Sequence, residues 1–198
     1  IIGAGSGGLS VAAGAAQMGA KVVLIEKSKM GGDCLNTGCV PSKALLAAGH
    51  AAEAVRRAGH FGVNARLDAI DADGVFGHVR NTIGAIAPLD SVERFEGLGV
   101  TVIEAAGRFI GPREVEAGDT RIRARRFVVA TGSSPFVPPV PGIDTVESLT
   151  NETVFEQPNL PEHMIVMGGG PIGVELAQAH RHLGCQVTVL EMFSIMPK

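Results

Sequence analysis

The chain has 198 residues, a formal net charge of -3, 45% hydrophobic residues and 19% charged residues. That balance excludes a disordered chain and leaves no basic field to attract nucleic acid or an anionic membrane surface. Glycine fills 27 positions, about twice the usual ~7% share, with no G-X-Y period to make the chain collagen-like.

No apolar run reaches the ~20 residues a membrane-spanning helix needs. The chain opens at Ile1 and enters a glycine-rich motif at Gly3. A parallel strand takes about 5 residues, so the sequence reads as a fragment cut at both ends. Three cysteines make no extracellular disulfide framework, which favours an even and denser set. There is no Trp and no Tyr, so visible or strong near-ultraviolet absorbance would belong to a cofactor.

In chain order, Ile1-Ile2 reads as a strand end, Gly3 to Gly8 as a turn, Leu9 to Met18 as a helix closed by Gly19, and Lys21 to Ile25 as a strand buried on both faces. Glu26 ends that strand. Leu35 to about Ala58 reads as mostly helical with Pro41 early in it. Ala69 to Phe95 reads as a second helical stretch, interrupted near Pro88. A short strand is expected at Val100 to Ile103. Arg108 to Arg125 alternates as a meander, with Arg121, Arg123 and Arg125 on one solvated face. Phe127 to Ala130 is expected to be a buried strand, ending in Thr131-Gly132. Residues 135–161 are rich in proline and read as a crossing linker.

Residues 163–191 then repeat the opening pattern: Met164 to Met167 as strand, Gly168 to Gly173 as turn, Val174 to Leu183 as helix, Gln186 to Leu190 as strand, and Glu191 at its end. The last turn glycine and the acid are 18 positions apart in both copies, and the copies are 165 residues apart. That separation is too long for a solenoid and suits two nucleotide sites in one protein.

A G-x-G-x-x-G turn between strand and helix lets the backbone approach a pyrophosphate at the helix N-terminus. The acid at the end of the following strand accepts hydrogen bonds from a ribose 2′-hydroxyl. Gly3, Gly5, Gly8 and Glu26 form one such set, and Gly168, Gly170, Gly173 and Glu191 the other. Glu191 would repel a 2′-phosphate, so the second site is expected to prefer NAD(H) to NADP(H).

The stretch Gly31-Gly32-Asp33-Cys34-Leu35-Asn36-Thr37-Gly38-Cys39-Val40-Pro41-Ser42-Lys43 places two cysteines five apart, one at a helix start. Such a pair can close a small disulfide, and a helix N-terminus stabilises a thiolate. Half a zinc site and a pair of buried free thiols are the other readings. Zinc needs four ligands, and neither a second cysteine pair nor a fitting histidine spacing follows. No metal site is expected. Cys185 reads as a small core residue, and Met164, Met167, Met192 and Met196 as core or edge packing. No histidine stands out as a catalyst.

The run GGDCLNTGCVPSKAL resembles the redox-disulfide signature of the class I pyridine nucleotide-disulfide oxidoreductases, among them dihydrolipoyl dehydrogenase and mercuric reductase. The order of IIGAGSGG, the cysteines, VVATGSSP at 128–135 and GGGPIGVELAQ at 168–178 is similar to that family across nearly the whole chain. The resemblance implies an α/β fold: an FAD-binding Rossmann-like domain at 1–147, with a parallel sheet and a β-meander, and the first βαβ unit of a second, NAD-binding Rossmann-like domain at 148–198.

It further implies that Gly3, Gly5, Gly8, Glu26 and Gly32 hold FAD, with Thr131 and Gly132 in the turn leading toward the NAD domain. Cys39 would be the flavin-proximal cysteine, Cys34 the interchange cysteine, Lys43 the cation near flavin N5, and Glu175 its ion-pair partner. The implied activity is electron relay between NAD(H), FAD and a Cys34–Cys39 disulfide. The implied substrate is a small disulfide or dithiol, most closely that of a dihydrolipoyl dehydrogenase. A mercuric reductase acting on mercuric ion is the alternative, and an inactive flavin-binding fragment a third reading. The family's proton-managing histidine comes from the partner subunit of a homodimer, so a cytoplasmic homodimer is expected.

Overall fold

A computed structural model of the chain describes residues 1–196, which fall into two compact units, 1–38 with 83–139 and 39–82 with 140–196. Among the described residues no helix is long and apolar enough to cross a membrane.

The first unit begins with Ile2, which bridges Ile25 on one side and Val129 on the other, both in parallel. The turn after it leads into α1 (Ser6–Gln17), whose alanine-rich sequence suits a helix. Strand β1 (Val23–Glu26) follows and pairs in parallel with β2 (Thr101–Glu104). The unit's order is therefore Val129, Ile2, β1, β2. One apolar cluster is formed by Ala4, Leu9, Ala12, Val22, Leu24, Phe95 and Val100. Helix α2 (Gly32–Asn36) and the short α5 (Val92–Gly97) also belong to this unit.

The meander forms as expected: β3 (Gly107–Gly111), β4 (Glu114–Ala117) and β5 (Thr120–Arg123) are antiparallel neighbours. Its inner residues Val115 and Ala117 pack with Ile2 and Ile25. Arg121, Arg123 and Arg125 are exposed, and Arg121 and Arg123 stand opposite Glu116 and Glu114 in the register.

One strand differs from expectation. Phe127 to Ala130 is not a buried strand: only Val129 bridges, and it is 63% exposed. Ile2 N–H donates to Val128 O (2.9 Å) and Ala130 N–H donates to Ile2 O (2.8 Å).

The second unit contains α3 (Cys39–Arg57), most of α4 (Ala72–Ile86), and the βαβ element β6 (His163–Met167), α6 (Pro171–His182) and β7 (Gln186–Leu190). Strands β6 and β7 are parallel. Pro41 and Pro171 lie in first helical turns, where a missing N–H costs nothing. The long helix expected from Leu35 is broken between Asn36 and Cys39, so Cys39 opens a helix of its own. Met167, Met192 and Met196 are exposed rather than core residues.

Helix α3 lies on α6. Gly49 is buried at the approach: a Cβ there would come 3.1 Å from the Ala179 carbonyl oxygen. Arg56 donates to the carbonyl of His182 at the far end of α6. His180 is fully buried and donates through Nδ1 to Leu176 O (2.8 Å), which leaves Nε2 to accept from Gln157 Nε2 at 3.4 Å.

Burial pushes the His180 imidazole below its ordinary pKa of 6.5, the bond to Leu176 opposing this in part. Above that ordinary value the ring is neutral in both states and the network is intact. As pH falls below it, the unfolded chain takes up the proton first, so stability is lost progressively until the folded pKa is passed. The thermal midpoint should therefore fall between about pH 7.5 and about pH 5.5. His180→Phe should flatten that dependence. An unchanged slope in the variant would assign the pH response to other groups.

Candidate functional site

The two glycine turns have matching atomic detail. Gly3 and Gly168 hold φ of +102° and +117°, in the region that favours glycine. A Cβ on Gly8 would fall 1.8 Å from the Gly3 carbonyl oxygen, and one on Gly173 would fall 2.1 Å from that of Gly168. Both atoms are backbone, so each turn closes only because glycine stands at its last position. At Gly170, by contrast, an added Cβ would meet nothing within 4 Å. The open backbone there, at the start of 12-residue α6, is where a pyrophosphate could approach.

The acids do something that spacing alone does not reveal. Glu26 accepts the Ala4 N–H at 2.6 Å with one oxygen and the Ser28 N–H at 2.8 Å with the other. Glu191 accepts the Gly169 N–H at 2.7 Å and the Phe193 N–H at 3.0 Å. Each carboxylate thus pins the middle of its own glycine turn and the residue two beyond itself. These bonds, from Gly169 first and then Phe193, hold the Glu191 carboxyl below its ordinary pKa. A carboxylate has about four lone-pair sites, so capacity for a ribose hydroxyl remains. No sequence signal marks Ala4 or Gly169 as donors except their place inside the turn.

Gly31 and Gly32 pack on the first turn. Gly31 N–H donates to Ala4 O at 2.9 Å, and a Cβ on Gly32 would stand 2.6 Å from the Gly5 Cα. Thr131 follows Ala130, whose carbonyl oxygen would lie 2.2 Å from a Cβ on Gly3, and both Thr131 and Gly132 are exposed. The structure therefore gathers Gly3, Gly5, Gly8, Glu26, Gly32 and Thr131 around one turn.

Cys34 is half-buried in α2, within a loop ordered by Asn36 Nδ2, which donates to Met30 O (3.0 Å) and Gly32 O (2.8 Å). Cys39 is exposed as the first residue of α3. Lys43, one helical turn on, meets Glu175 of α6 at 2.6 Å. Both partners are partly exposed, 61% and 37%, and pairs of that kind contribute only about 0–1 kcal/mol. Such a pair orients a charge more than it stabilises a fold. It ties the helix that begins at Cys39 to the helix that begins at the second glycine turn. Cys185 is buried, and burial pushes its thiol pKa up, which leaves it an inert core thiol. Among the described residues no three His, Cys, Asp or Glu side chains gather as a metal site.

Two dinucleotide-type turns and a cysteine-bearing helix are thus present in one chain. Consistent with this, the family profile for pyridine nucleotide-disulphide oxidoreductases matches residues 1–197, and the chain belongs to that family. It is 36% identical over 195 residues to a mercuric reductase of Streptomyces lividans, a match covering 96% of this chain and 41% of that protein. It is also 36% identical over 206 residues to a dihydrolipoyl dehydrogenase of Thermus scotoductus, covering 100% and 42%.

The fold is similar to that of the HOCl-induced flavoprotein disulfide reductase RclA from Escherichia coli, solved as a Cu(II) complex. The TM-score is 0.82 at 27% identity, over 99% of this chain and 42% of that one. The chain thus spans about two fifths of the length of these relatives.

Proposed function

We propose that this chain is the flavin-binding and disulfide-bearing part of an FAD-dependent disulfide oxidoreductase, closest in activity to a dihydrolipoyl dehydrogenase. Residues 1–147 serve as the FAD domain and 148–198 begin the NAD domain. FAD is held by Gly3, Gly5, Gly8, Glu26 and Gly32, with Thr131 and Gly132 beside it. NAD(H) is held by Gly168, Gly170, Gly173 and Glu191. The observation that carries this reading is the 2.6 Å Lys43–Glu175 pair, because it links the cysteine helix to the second nucleotide turn. The glycine turns fit the nucleotides, since Gly8 and Gly173 let each turn close and Gly170 leaves backbone open to a ligand.

When bound, the two nucleotides supply hydride and electron-pair chemistry. The chain's own residues supply thiol exchange. The Cys34 thiolate attacks one sulfur of a disulfide substrate and expels the other as a thiolate. Cys39 then attacks the Cys34 sulfur, releases the second substrate thiolate and closes the Cys34–Cys39 disulfide. The substrate gains two electrons and the cysteine pair loses them; a dithiol substrate runs the same steps in reverse. Lys43, held by Glu175, provides a fixed cation suited to the negative charge of reduced flavin. Glu191 favours NAD over NADP through like-charge repulsion of a 2′-phosphate. We assign the proton-managing base to the partner subunit of a cytoplasmic homodimer, in keeping with a cysteine content too low for an extracellular framework.

The test is anaerobic incubation of the full-length, flavin-loaded parent protein with dihydrolipoamide and NAD, following NADH formation; the 198-residue chain alone is not expected to turn over. Fast turnover is the expected result. The similarity to a mercuric reductase at equal identity supports a second reading, with mercuric ion as substrate. No turnover on dihydrolipoamide, with mercuric ion consuming NADH instead, would replace the first reading by the second.

A further inference from the structure

The packing of α3 on α6 brings together two imidazoles that the thiol chemistry does not use. His50 of α3 and His182, the last residue of α6, have ring centres 5.7 Å apart, with planes tilted by 51°. Gly49 lets the helices close at this point: a Cβ on it would stand 3.2 Å from the His182 Cβ. Nδ1 of His182 is shielded from solvent and has no hydrogen-bond partner among the described residues. Two positions earlier, buried His180 has both ring nitrogens engaged, Nδ1 with Leu176 O and Nε2 with Gln157. A shielded polar atom left unpaired in a native fold calls for an explanation.

With its proton on Nε2, the His182 ring holds an unused lone pair at Nδ1. Two imidazoles meeting one tetrahedral ion, each nitrogen about 2.0–2.1 Å from the metal, have ring centres roughly 5.2 Å apart. The observed 5.7 Å needs a side-chain adjustment of only about half an ångström, and exposed His50 is free to make it. Arg56 stands beside the pair, but it donates to the His182 carbonyl and pairs with Glu53 at 3.4 Å, which offsets its charge. We propose that His50 and His182 form a reversible site for a divalent transition-metal ion of the kind imidazole favours, Zn²⁺, Ni²⁺ or Cu²⁺. Two protein ligands leave the remaining positions to water, which suits an ion that comes and goes. The same two helices carry Cys39 and Lys43 on one side and Glu175 on the other. A bound ion would therefore fasten the frame that holds the 2.6 Å Lys43–Glu175 pair.

Calorimetric titration of the full-length, flavin-loaded protein with Zn²⁺ tests this. A Cys34→Ser, Cys39→Ser background removes the cysteine pair as a competing ligand. His50→Gln should weaken the uptake of one Zn²⁺ per chain by at least about tenfold, since even groups that only support a metal ligand cost that much when removed. His50 is exposed, so this change leaves the helix packing intact. His182→Gln should give the same loss, with retained flavin colour reporting an intact fold. Mg²⁺, which takes oxygen ligands, should not compete. With Cu²⁺ as the probe, the electron paramagnetic resonance spectrum should show coupling to two nitrogens, and to one in His50→Gln.

Unchanged Zn²⁺ affinity in His50→Gln would overturn the site. So would a Cu²⁺ spectrum that is the same with and without His50, because that would leave the pair a packing contact and nothing more. Failure to take up Zn²⁺ while both histidines are present would do the same, whatever the protein's activity on disulfides.

Discussion

Cys34→Ala is expected to leave the flavin reducible by NADH while lowering disulfide exchange by at least about a thousandfold, as loss of a nucleophile does elsewhere. The two cysteines occupy different settings. Cys39 opens the helix that carries Lys43, and Lys43 pairs with Glu175 near the second nucleotide turn. Cys34 belongs to short α2, in a loop ordered by the Asn36 amide. Cys34 is not among the groups whose bonds shape the second glycine turn, Glu191, Phe193, Met196 and Gly169, so delivery of electrons to flavin should survive. What disappears is the sulfur that opens the substrate. Anaerobic stopped-flow separates the halves, with flavin bleaching by NADH read in one experiment and dithiol oxidation in the other. Loss of flavin bleaching in Cys34→Ala would reverse the roles given to the two cysteines.

Gly8→Ala and Gly173→Ala should fail in different ways, although they change the same position of the same motif. In each, the new methyl group would meet a backbone carbonyl oxygen, at 1.8 Å for Gly8 and 2.1 Å for Gly173. Backbone cannot swing aside as a side chain can, so the turn must open. Gly8→Ala should purify without flavin. Gly173→Ala should keep its flavin and lose reduction by NADH about a hundredfold or more, since a displacement near 1 Å at a positioned cofactor costs that much. No protein side chain absorbs in the visible, so visible absorbance is a direct measure of bound flavin. Gly170→Ala separates folding from binding. Its methyl group meets nothing, so the turn should keep its shape while the cofactor's path to the backbone is obstructed. A Gly173→Ala protein reduced by NADH at the parental rate would remove the second turn from the electron path.

The two turns share one backbone arrangement. Backbone atoms and the acid fix the turn, and they are the same in both copies. Lys27-Ser28 and Met192-Phe193 occupy equivalent places with opposite character.

The sequence by itself determined whatever rests on short-range rules. The glycine turns, the acids 18 residues beyond them, the break at Pro88 and the alternation of the meander are all local patterns whose period or spacing reflects backbone geometry. The cysteine motif is legible for the same reason, since five residues set its spacing. Tertiary structure decided the rest. Lys43 and Glu175 lie 132 positions apart, and only the packing of α3 on α6 across buried Gly49 brings them together. The carboxylates of Glu26 and Glu191 turn inward to hold their own glycine turns because unpaired N–H groups there would otherwise stay unbonded. His180 looks like an ordinary polar residue near a helix end, yet it is fully buried with its Nδ1 on the Leu176 carbonyl. The run from Phe127 to Ala130 has strand composition, yet its one bridge is Val129 to Ile2, because strand pairing is a property of two segments side by side and not of composition.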